Sequence, residues 1–338
     1  MLTVTLGKTG LTVNKNGFGA LPIQRIGKDD AAKLLRKAYD HGINYFDTAR
    51  AYSDSEEKIG YALNDVRSKI ILATKSMAQD AKSLRADLEQ SLRLLKTDYI
   101  DIYQFHNPAF VPTPGSKDGL YEEALKAQQE GKIRFIGITN HRWHVAEAAI
   151  ASGLFTTLMF PFSYLAGVKD FPLVQKCKEA NIGFISMKAL SGGLITNAAA
   201  AYAFQMQYDN VLPIWGVQKE VELDEFLQFQ ANPPALTTEL QAVIDKDKKE
   251  LQGNFCRGCG YCLPCPAGIN IPLAARMSLM LRRAPVKTYT TPEIQENMKK
   301  IEHCLHCNHC KDHCPYGLDT PALLQANYED FKTFINKP

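Results

Sequence analysis

Eight of the nine cysteines lie in the last quarter of the chain, in two copies of one spacing. The first copy is Cys256, Cys259, Cys262 and Cys265, followed by Pro266; the second is Cys304, Cys307, Cys310 and Cys314, followed by Pro315. Three cysteines at successive two-residue gaps, with a fourth ahead of proline, is the spacing that wraps a cuboidal iron–sulfur cluster. Clusters of that kind move single electrons, so this segment points to redox chemistry whatever the first 235 residues do.

The repeat runs past the cysteines. Cys265-Pro266-Ala267-Gly268-Ile269-Asn270-Ile271-Pro272 matches Cys314-Pro315-Tyr316-Gly317-Leu318-Asp319-Thr320-Pro321 in order and character. Each ends in a proline placed for the first turn of a helix. This duplication resembles two-cluster ferredoxins, in which three cysteines of one copy share a cluster with the Cys-Pro cysteine of the other. The resemblance assigns Cys256, Cys259, Cys262 and Cys314 to one 4Fe-4S cluster, and Cys304, Cys307, Cys310 and Cys265 to a second. The first copy departs from the ferredoxin run, with two residues before its last cysteine in place of three. Two structural zinc ions are the alternative for eight thiolates, although zinc sites usually arrive as separated pairs. Disulfides are the other alternative. The stretch Met1–Gly10 has neither the basic region nor the apolar core of a signal peptide, and a reducing cytosol disfavours disulfides. Cys177 stands alone on an expected helix and reads as a buried small hydrophobe.

A chain of 338 residues exceeds what one core normally serves, which suggests a large domain, 1–235, and a small one, 236–338, that includes a linker helix. The net charge of +3 is near balance and offers no concentrated basic face for nucleic acid. No apolar run reaches the length of a membrane span. The expectation is a soluble, cytoplasmic protein.

The large domain alternates strand and helix patterns. Strands are expected at Asn16–Ile23, Asn44–Thr48, Lys69–Lys75, Tyr99–His106, Ile133–Thr139, Thr157–Phe162, Gly183–Met187 and Val211–Val217, with helices such as Asp30–Gly42, Glu56–Val66, Lys82–Lys96 and Leu120–Gly131 between them. Within Lys82–Lys96, Leu84, Leu88, Leu92 and Leu95 fall on one helical face. Eight such units is the count of a (β/α)8 TIM barrel. An open doubly wound sheet is the rival, but no Gly-x-Gly-x-x-Gly turn follows the first strand. The fold class is therefore α/β, a barrel followed by a small, mostly helical ferredoxin-like domain with helices over Pro272–Arg283 and Pro292–His303.

In such barrels the chemistry gathers at the C-terminal ends of the strands. Four successive strands end there in polar groups: Asp47 with Tyr52 five residues on, Lys75, His106, and Thr139-Asn140. Singly, each has a bland explanation as a surface or structural residue; together they define a rim. The segments Asn44-Tyr45-Phe46-Asp47-Thr48-Ala49-Arg50-Ala51-Tyr52, Ile71-Leu72-Ala73-Thr74-Lys75, Tyr103-Gln104-Phe105-His106 and Gly137-Ile138-Thr139-Asn140 resemble the aldo-keto reductases over roughly residues 1–235. The resemblance implies a barrel with an N-terminal hairpin, Leu2–Val13, on its floor, a nicotinamide cofactor, and reduction of a carbonyl or oxidation of the alcohol.

Chemistry follows from these residue types. Hydride transfer to a carbonyl carbon leaves charge on oxygen, which must be protonated or stabilised. Tyr52 would supply the proton; a phenol with a pKa of ~10 is a weak acid at neutral pH, and the Lys75 ammonium would favour its phenolate. Asp47 would hold Lys75, and His106 would donate a hydrogen bond to the carbonyl oxygen. The resemblance gives Asn140 to the nicotinamide carboxamide and places Thr139, Met187 and Lys188 among the cofactor-binding residues. The turn Ser191-Gly192-Gly193 would lay backbone amides on the diphosphate, with a plain turn as the alternative. Two positions depart from the family: Met159 stands where a carboxamide-binding glutamine is usual, and Met187 where an aromatic is. Around Gly216, Lys219 offers one charge to a ribose phosphate while Glu220 and Glu222 oppose it, which among NAD(P)H cofactors favours NADH. A methionine-lined site would also suit another planar cofactor.

Nicotinamides deliver two electrons as hydride and clusters accept one at a time, so a flavin would normally mediate; the sequence identifies no flavin site. Three readings stand. The clusters relay electrons between the barrel and a redox partner; or they are structural or docking elements on an independent reductase; or the chain is an electron-transfer subunit with a repurposed barrel.

Overall fold

The computed structural model describes residues 2–251, 255–283 and 286–336. It divides into two compact units. One comprises the residues up to Ala189 together with Ala199–Leu240; the other comprises Leu190–Ala198 and the residues from Gln241 on.

The first unit opens with an antiparallel hairpin, β1 (Thr3–Thr5) and β2 (Thr12–Asn14). Eight parallel strands follow: β3 (Gly17–Gly19), β4 (Tyr45–Asp47), β5 (Ile71–Ser76), β6 (Ile100–His106), β7 (Ile133–Thr139), β8 (Thr157–Pro161), β9 (Gly183–Met187) and β10 (Val211–Gly216). They close into a barrel in sequence order, with β10 returning to β3. Their interior is apolar, and hairpin residues Val4, Leu6 and Val13 pack in one cluster with Tyr45, Ile102 and Leu212. The hairpin thus supplies the plug that a parallel barrel lacks at its N-terminal end.

The helices lie close to their expected spans. Ala81–Leu95 buries Leu84, Leu88, Leu92 and Leu95, and the Asp80 side chain caps it by accepting from the Ser83 amide at 2.9 Å. Differences arise where backbone hydrogen bonds run out. The first barrel strand covers only Gly17–Gly19 of the expected Asn16–Ile23, and the chain then makes a 3-10 turn at Pro22–Arg25. Pro22 has no N–H to give a ladder. The helix expected over Glu56–Val66 stops at Leu63 and continues as 3-10 turns to Lys69.

The second unit is helical: Thr238–Glu250 leads into it, and Thr320–Ile335 is its longest helix. The helix expected over Pro272–Arg283 is split into Ile271–Ala274 and Met277–Arg283. The one expected over Pro292–His303 is Pro292–Lys299 followed by a 3-10 turn. Its core joins Met277, Met298, Ile301, Leu324 and Phe331 to buried Cys262 and Cys310. The duplication is reproduced bond by bond. Asn270 caps the Leu273 amide and Asp319 caps the Ala322 amide, each at 3.3 Å. Gly268 and Gly317 donate to the carbonyls of Cys265 and Cys314 at 2.9 and 3.1 Å. The same left-handed backbone recurs at Gly258 and His306, and at Gly260 and Asn308.

Candidate active site and cluster-binding loops

β4, β5 and β6 end side by side, with Asp47 in register with Ala73 and Lys75 with Gln104. Period-two alternation turns Asp47, Lys75, Gln104 and His106 to the same side of their strands. Lys75 Nζ donates to Asp47 Oδ1 at 2.5 Å and to the Thr48 carbonyl at 2.7 Å. Gln104 Nε2 donates to the other carboxylate oxygen of Asp47 at 3.1 Å. Asp47 is 3% exposed and Lys75 1%. Burial pushes the carboxyl up and the ammonium down, and the attraction between them opposes both.

Tyr52 is half-buried on the loop after β4. Lys75 Nζ stands 5.2 Å from its ring centroid. The His106 ring meets it edge-on, with centroids 5.9 Å apart and an interplanar angle of 87°. The loop carrying Tyr52 is pinned on several sides. Thr48 and Arg50 donate backbone bonds to the carbonyls of Ala73 and Lys75, each at 2.9 Å. Buried Glu56 pairs with Arg50 and accepts from Thr74 Oγ1 at 2.7 Å. His106 is 8% exposed. Burial, assisted by Lys75, pushes its imidazolium down to about 3, so the ring is neutral at physiological pH. The arrangement is a protected ammonium beside a phenol, with a neutral imidazole across from it: a proton source and a hydrogen-bond donor for one developing oxyanion.

Thr139 pairs with His106 across β6 and β7, and Asn140 is fully buried just beyond. The Asn140 carboxamide donates to the Pro108 carbonyl at 2.8 Å and accepts from the Arg142 amide at 2.8 Å. An amide has a second N–H and a second lone pair, so those two bonds do not exhaust it. Met159 is buried in the barrel interior against Ile185, and half-buried Met187 packs on the same cluster. Lys188 follows in left-handed backbone. Gly216 ends β10, and Lys219 is the N-cap of the helix Glu220–Ala231. Glu222 there accepts from the amides of Gln218 and Lys219 at 2.9 and 3.1 Å, while Glu220 pairs with Lys37 at 2.6 Å.

Ser191, Gly192 and Gly193 are placed with the second unit. The Gly193 amide donates to the Leu190 carbonyl at 2.9 Å. Arg276 Nη1 donates to the Gly192 carbonyl at 2.8 Å, and Arg283 Nε to the Leu194 carbonyl at 2.9 Å. The loop is thus a turn braced by two arginines of its own unit.

In that unit, Cys265, Cys304, Cys307 and Cys310 line one recess, together with Pro266 and Ile269. Cys256 lies within electrostatic reach of Cys259 and Cys314, and Cys262 within reach of Cys256 and Cys259. The Arg257 guanidinium stacks on Phe255 at 4.3 Å and on Tyr316 at 4.9 Å, tying the first cysteine loop to the second Cys-Pro turn. Cys265 of the first copy thus lines the recess of the second copy's cysteines, Cys314 lies within reach of Cys256, and Cys262 is also within reach of Cys310. Cys177 is fully buried, and burial pushes its thiol up to about 12.

Several contributors escape a reading of motifs. Gln104 sits inside one of the quoted segments, and its signal is the two-residue step to His106. His141 is buried, and burial first and Lys188 second push its imidazolium well down. Arg276 and Arg283 carry no local signal, because the carbonyls they bind lie far back in the chain.

Residues 15–200 match the aldo/keto reductase family, and residues 255–319 match the 4Fe-4S dicluster domain. An L-galactose dehydrogenase of Arabidopsis thaliana is 35% identical over 214 residues, 56% of this chain and 66% of that protein. A 6-dehydroglucose reductase of Novosphingobium aromaticivorans is 33% identical over 155 residues, 40% of this chain and 50% of that protein. The matched stretches thus span less than two thirds of these relatives. The holo form of an aldo-keto reductase from Bacillus halodurans superposes with a TM-score of 0.63 at 23% identity, covering 73% of this chain and 96% of that one. Among the described residues no helix is long and apolar enough to cross a membrane.

Proposed function

Because the chain belongs to the aldo/keto reductase family and carries a 4Fe-4S dicluster domain, we propose that it interconverts a small carbonyl compound and its alcohol, using a nicotinamide at the barrel rim and exchanging electrons with a redox partner through two clusters. The observation that carries the barrel half is the Asp47–Lys75 ion pair beside Tyr52. A nicotinamide, when bound, supplies hydride to the carbonyl carbon. Tyr52 protonates the oxygen, and Lys75 stabilises the phenolate left behind. Asp47, held from its other side by Gln104, keeps Lys75 in place and charged. Neutral His106 donates a hydrogen bond that orients the carbonyl. Asn140 would hold the carboxamide of a bound nicotinamide through its remaining N–H and lone pair, with Thr139, Met187 and Lys188 as further residues that would line the cofactor.

The Glu220–Ala231 helix favours NADH. Glu222 accepts from the Gln218 and Lys219 amides just ahead of the helix, so a ribose phosphate arriving beside Lys219 would meet that carboxylate. In the second unit, the crossed grouping supports Cys256, Cys259, Cys262 and Cys314 as ligands of one cluster, and Cys304, Cys307, Cys310 and Cys265 as ligands of the other. Cys304→Ala is expected to remove one cluster; unchanged iron content would break this assignment.

An anaerobic titration with NADH, recorded across the visible spectrum, tests the whole reading. Bleaching of cluster absorbance supports electronic connection, and flavin bands would identify a two-electron to one-electron mediator. Oxidised clusters in a protein that consumes NADH with added aldehyde would make the barrel an independent reductase and refute the relay.

A further inference from the structure

The two cysteine copies share a backbone but not a charge. In the first, the helical segment after Pro272 brings Arg276 back over the loop that begins at Cys256. Arg276 Nε donates to the Pro272 carbonyl and Nη1 to the Gly192 carbonyl, each at 2.8 Å, so the guanidinium is fixed from two sides. The loop makes room for it with glycines. A Cβ on Gly258 would sit 2.9 Å from Arg276 Cζ, and one on Gly192 would sit 2.9 Å from Nη1. Both glycines have positive φ, +62° and +67°. The Gly258 amide in turn donates to Cys256 Sγ at 3.3 Å. In the second copy, His306 takes the place of Gly258 in the same left-handed conformation. Counting on from Pro321 as from Pro272, the position of Arg276 is held by Gln325, which is exposed.

We infer that Arg276 sets the reduction potential of the cluster bound by Cys256, Cys259, Cys262 and Cys314, holding it above the value the same loop would give with the neutral residue of the second copy. Adding an electron makes a cluster more negative, and a fixed cation at its edge stabilises the reduced form. Arginine keeps its charge at every working pH, so the bias is permanent. The loop Leu190–Ala198 that Arg276 grips follows β9 in the chain, which makes this cluster the one whose environment is coupled to that segment. The second copy, lacking both the glycine and the arginine, has no equivalent device. The duplication has thus produced two clusters on related loops with separable electronic character.

The inference rests on the ligand assignment proposed above, and the test reads the two separately. Iron content and the electron paramagnetic resonance spectrum report whether both clusters are present; the midpoint potentials report on Arg276. Full-length protein holding both clusters is titrated anaerobically with dithionite and mediators, as wild type, Arg276→Gln and Arg276→Lys. Arg276→Gln installs the residue of the second copy. One midpoint is expected to fall so that its reduced-to-oxidised ratio at fixed potential drops about tenfold, or about 59 mV for a one-electron couple, while the other stays put. Arg276→Lys, which keeps the charge, should stay near wild type. Unchanged midpoints with full iron overturn the inference, as do equal shifts of both clusters or a shift in Arg276→Lys as large as in Arg276→Gln. Should Arg276→Gln shed iron, Arg276→Met, which keeps the stem without the charge, carries the same expectation. Loss of iron from both neutral variants, with retention in Arg276→Lys, would make Arg276 a structural brace and also overturn it.

Discussion

The barrel rim and the cysteine loops reach order by different routes. At the rim, the charged pair is gripped by protein and the loop carrying Tyr52 is pinned. Asp47 is held by Lys75 and Gln104, Lys75 also by the Thr48 carbonyl, and Tyr52 rides on a loop sewn to β5. The cysteines are presented instead by turns and very short helices, such as His309–Asp312, with Cys307 exposed and Cys262 and Cys310 serving as core residues. One site is built by packing and then used; the other is completed by what it binds. Catalytic geometry has to be correct before substrate arrives, whereas a cluster brings its own rigid cube.

The sharpest way to break that contrast is to remove the iron. Metal binding that organises a small unit is itself folding free energy. Anaerobic chelation is expected to abolish the visible cluster absorbance and to melt helices of the second unit, seen as lost far-ultraviolet circular dichroism at 222 nm. Nicotinamide turnover that survives loss of both clusters would take away the main support for the relay. Full helical signal in iron-free protein would show that the unit packs without its clusters.

Tyr52→Phe attacks the other side. It removes one hydroxyl and leaves a ring that still faces His106. A positioned proton donor contributes roughly 10²–10⁴-fold, so kcat/KM should fall by that factor with iron content and both midpoints unaltered. Turnover within about threefold of wild type, well below that range, would end the assignment of Tyr52 as acid.

Lys75→Met measures how far the rim depends on its pair. Removing one partner of a buried ion pair leaves the other charge unpaired and costs about 3–5 kcal/mol. A loss of that size is expected in the urea transition of the barrel. A cost below about 1 kcal/mol, the range of exposed pairs, would mean that Asp47 is neutral or hydrated without Lys75.

The same contrast explains what could be read in the sequence. The barrel was legible because each strand is a β-branched or aromatic run and each helix a one-faced pattern; the span from Ile133 to Thr139 and that from Gly183 to Met187 coincide with β7 and β9. Asp47, Tyr52, Lys75 and His106 stood out because a parallel barrel delivers strand ends to one rim, which is a property of topology. Gln104 and His141 were hidden because a buried amide or imidazole shows its purpose only through partners on other strands. The glycines of Ser191-Gly192-Gly193 mark a turn that either binds a cofactor diphosphate or is only a turn, and it lies in the segment Leu190–Ala198. Its place with the second unit depends on Arg276 and Arg283, more than eighty residues downstream, and no local pattern encodes a meeting of that span.

The smallest effect concerns His106, and it separates a buried, preorganised rim from an open one. Its pKa is pushed from 6.5 to about 3 by burial first and by Lys75 second. The neutral form is therefore the native one at every pH above that value. In the unfolded chain the ring titrates near 6.5, so between pH 6.5 and about 3 the unfolded state binds a proton that the native state does not. Stability from this residue is fully present above pH 6.5 and declines as the pH falls, by at most about 1.4 kcal/mol per pH unit. His106→Gln, which retains a donor, should flatten that part of the stability curve. In the folded enzyme the ring does not change charge, so kcat/KM for carbonyl reduction should show no His106 limb between pH 5 and 8. An acid limb centred near 6.5 that vanishes in His106→Gln would mean that the imidazole is protonated within the working range. His106 would then share the proton-donor role with Tyr52, and the rim would be wetter than its packing implies.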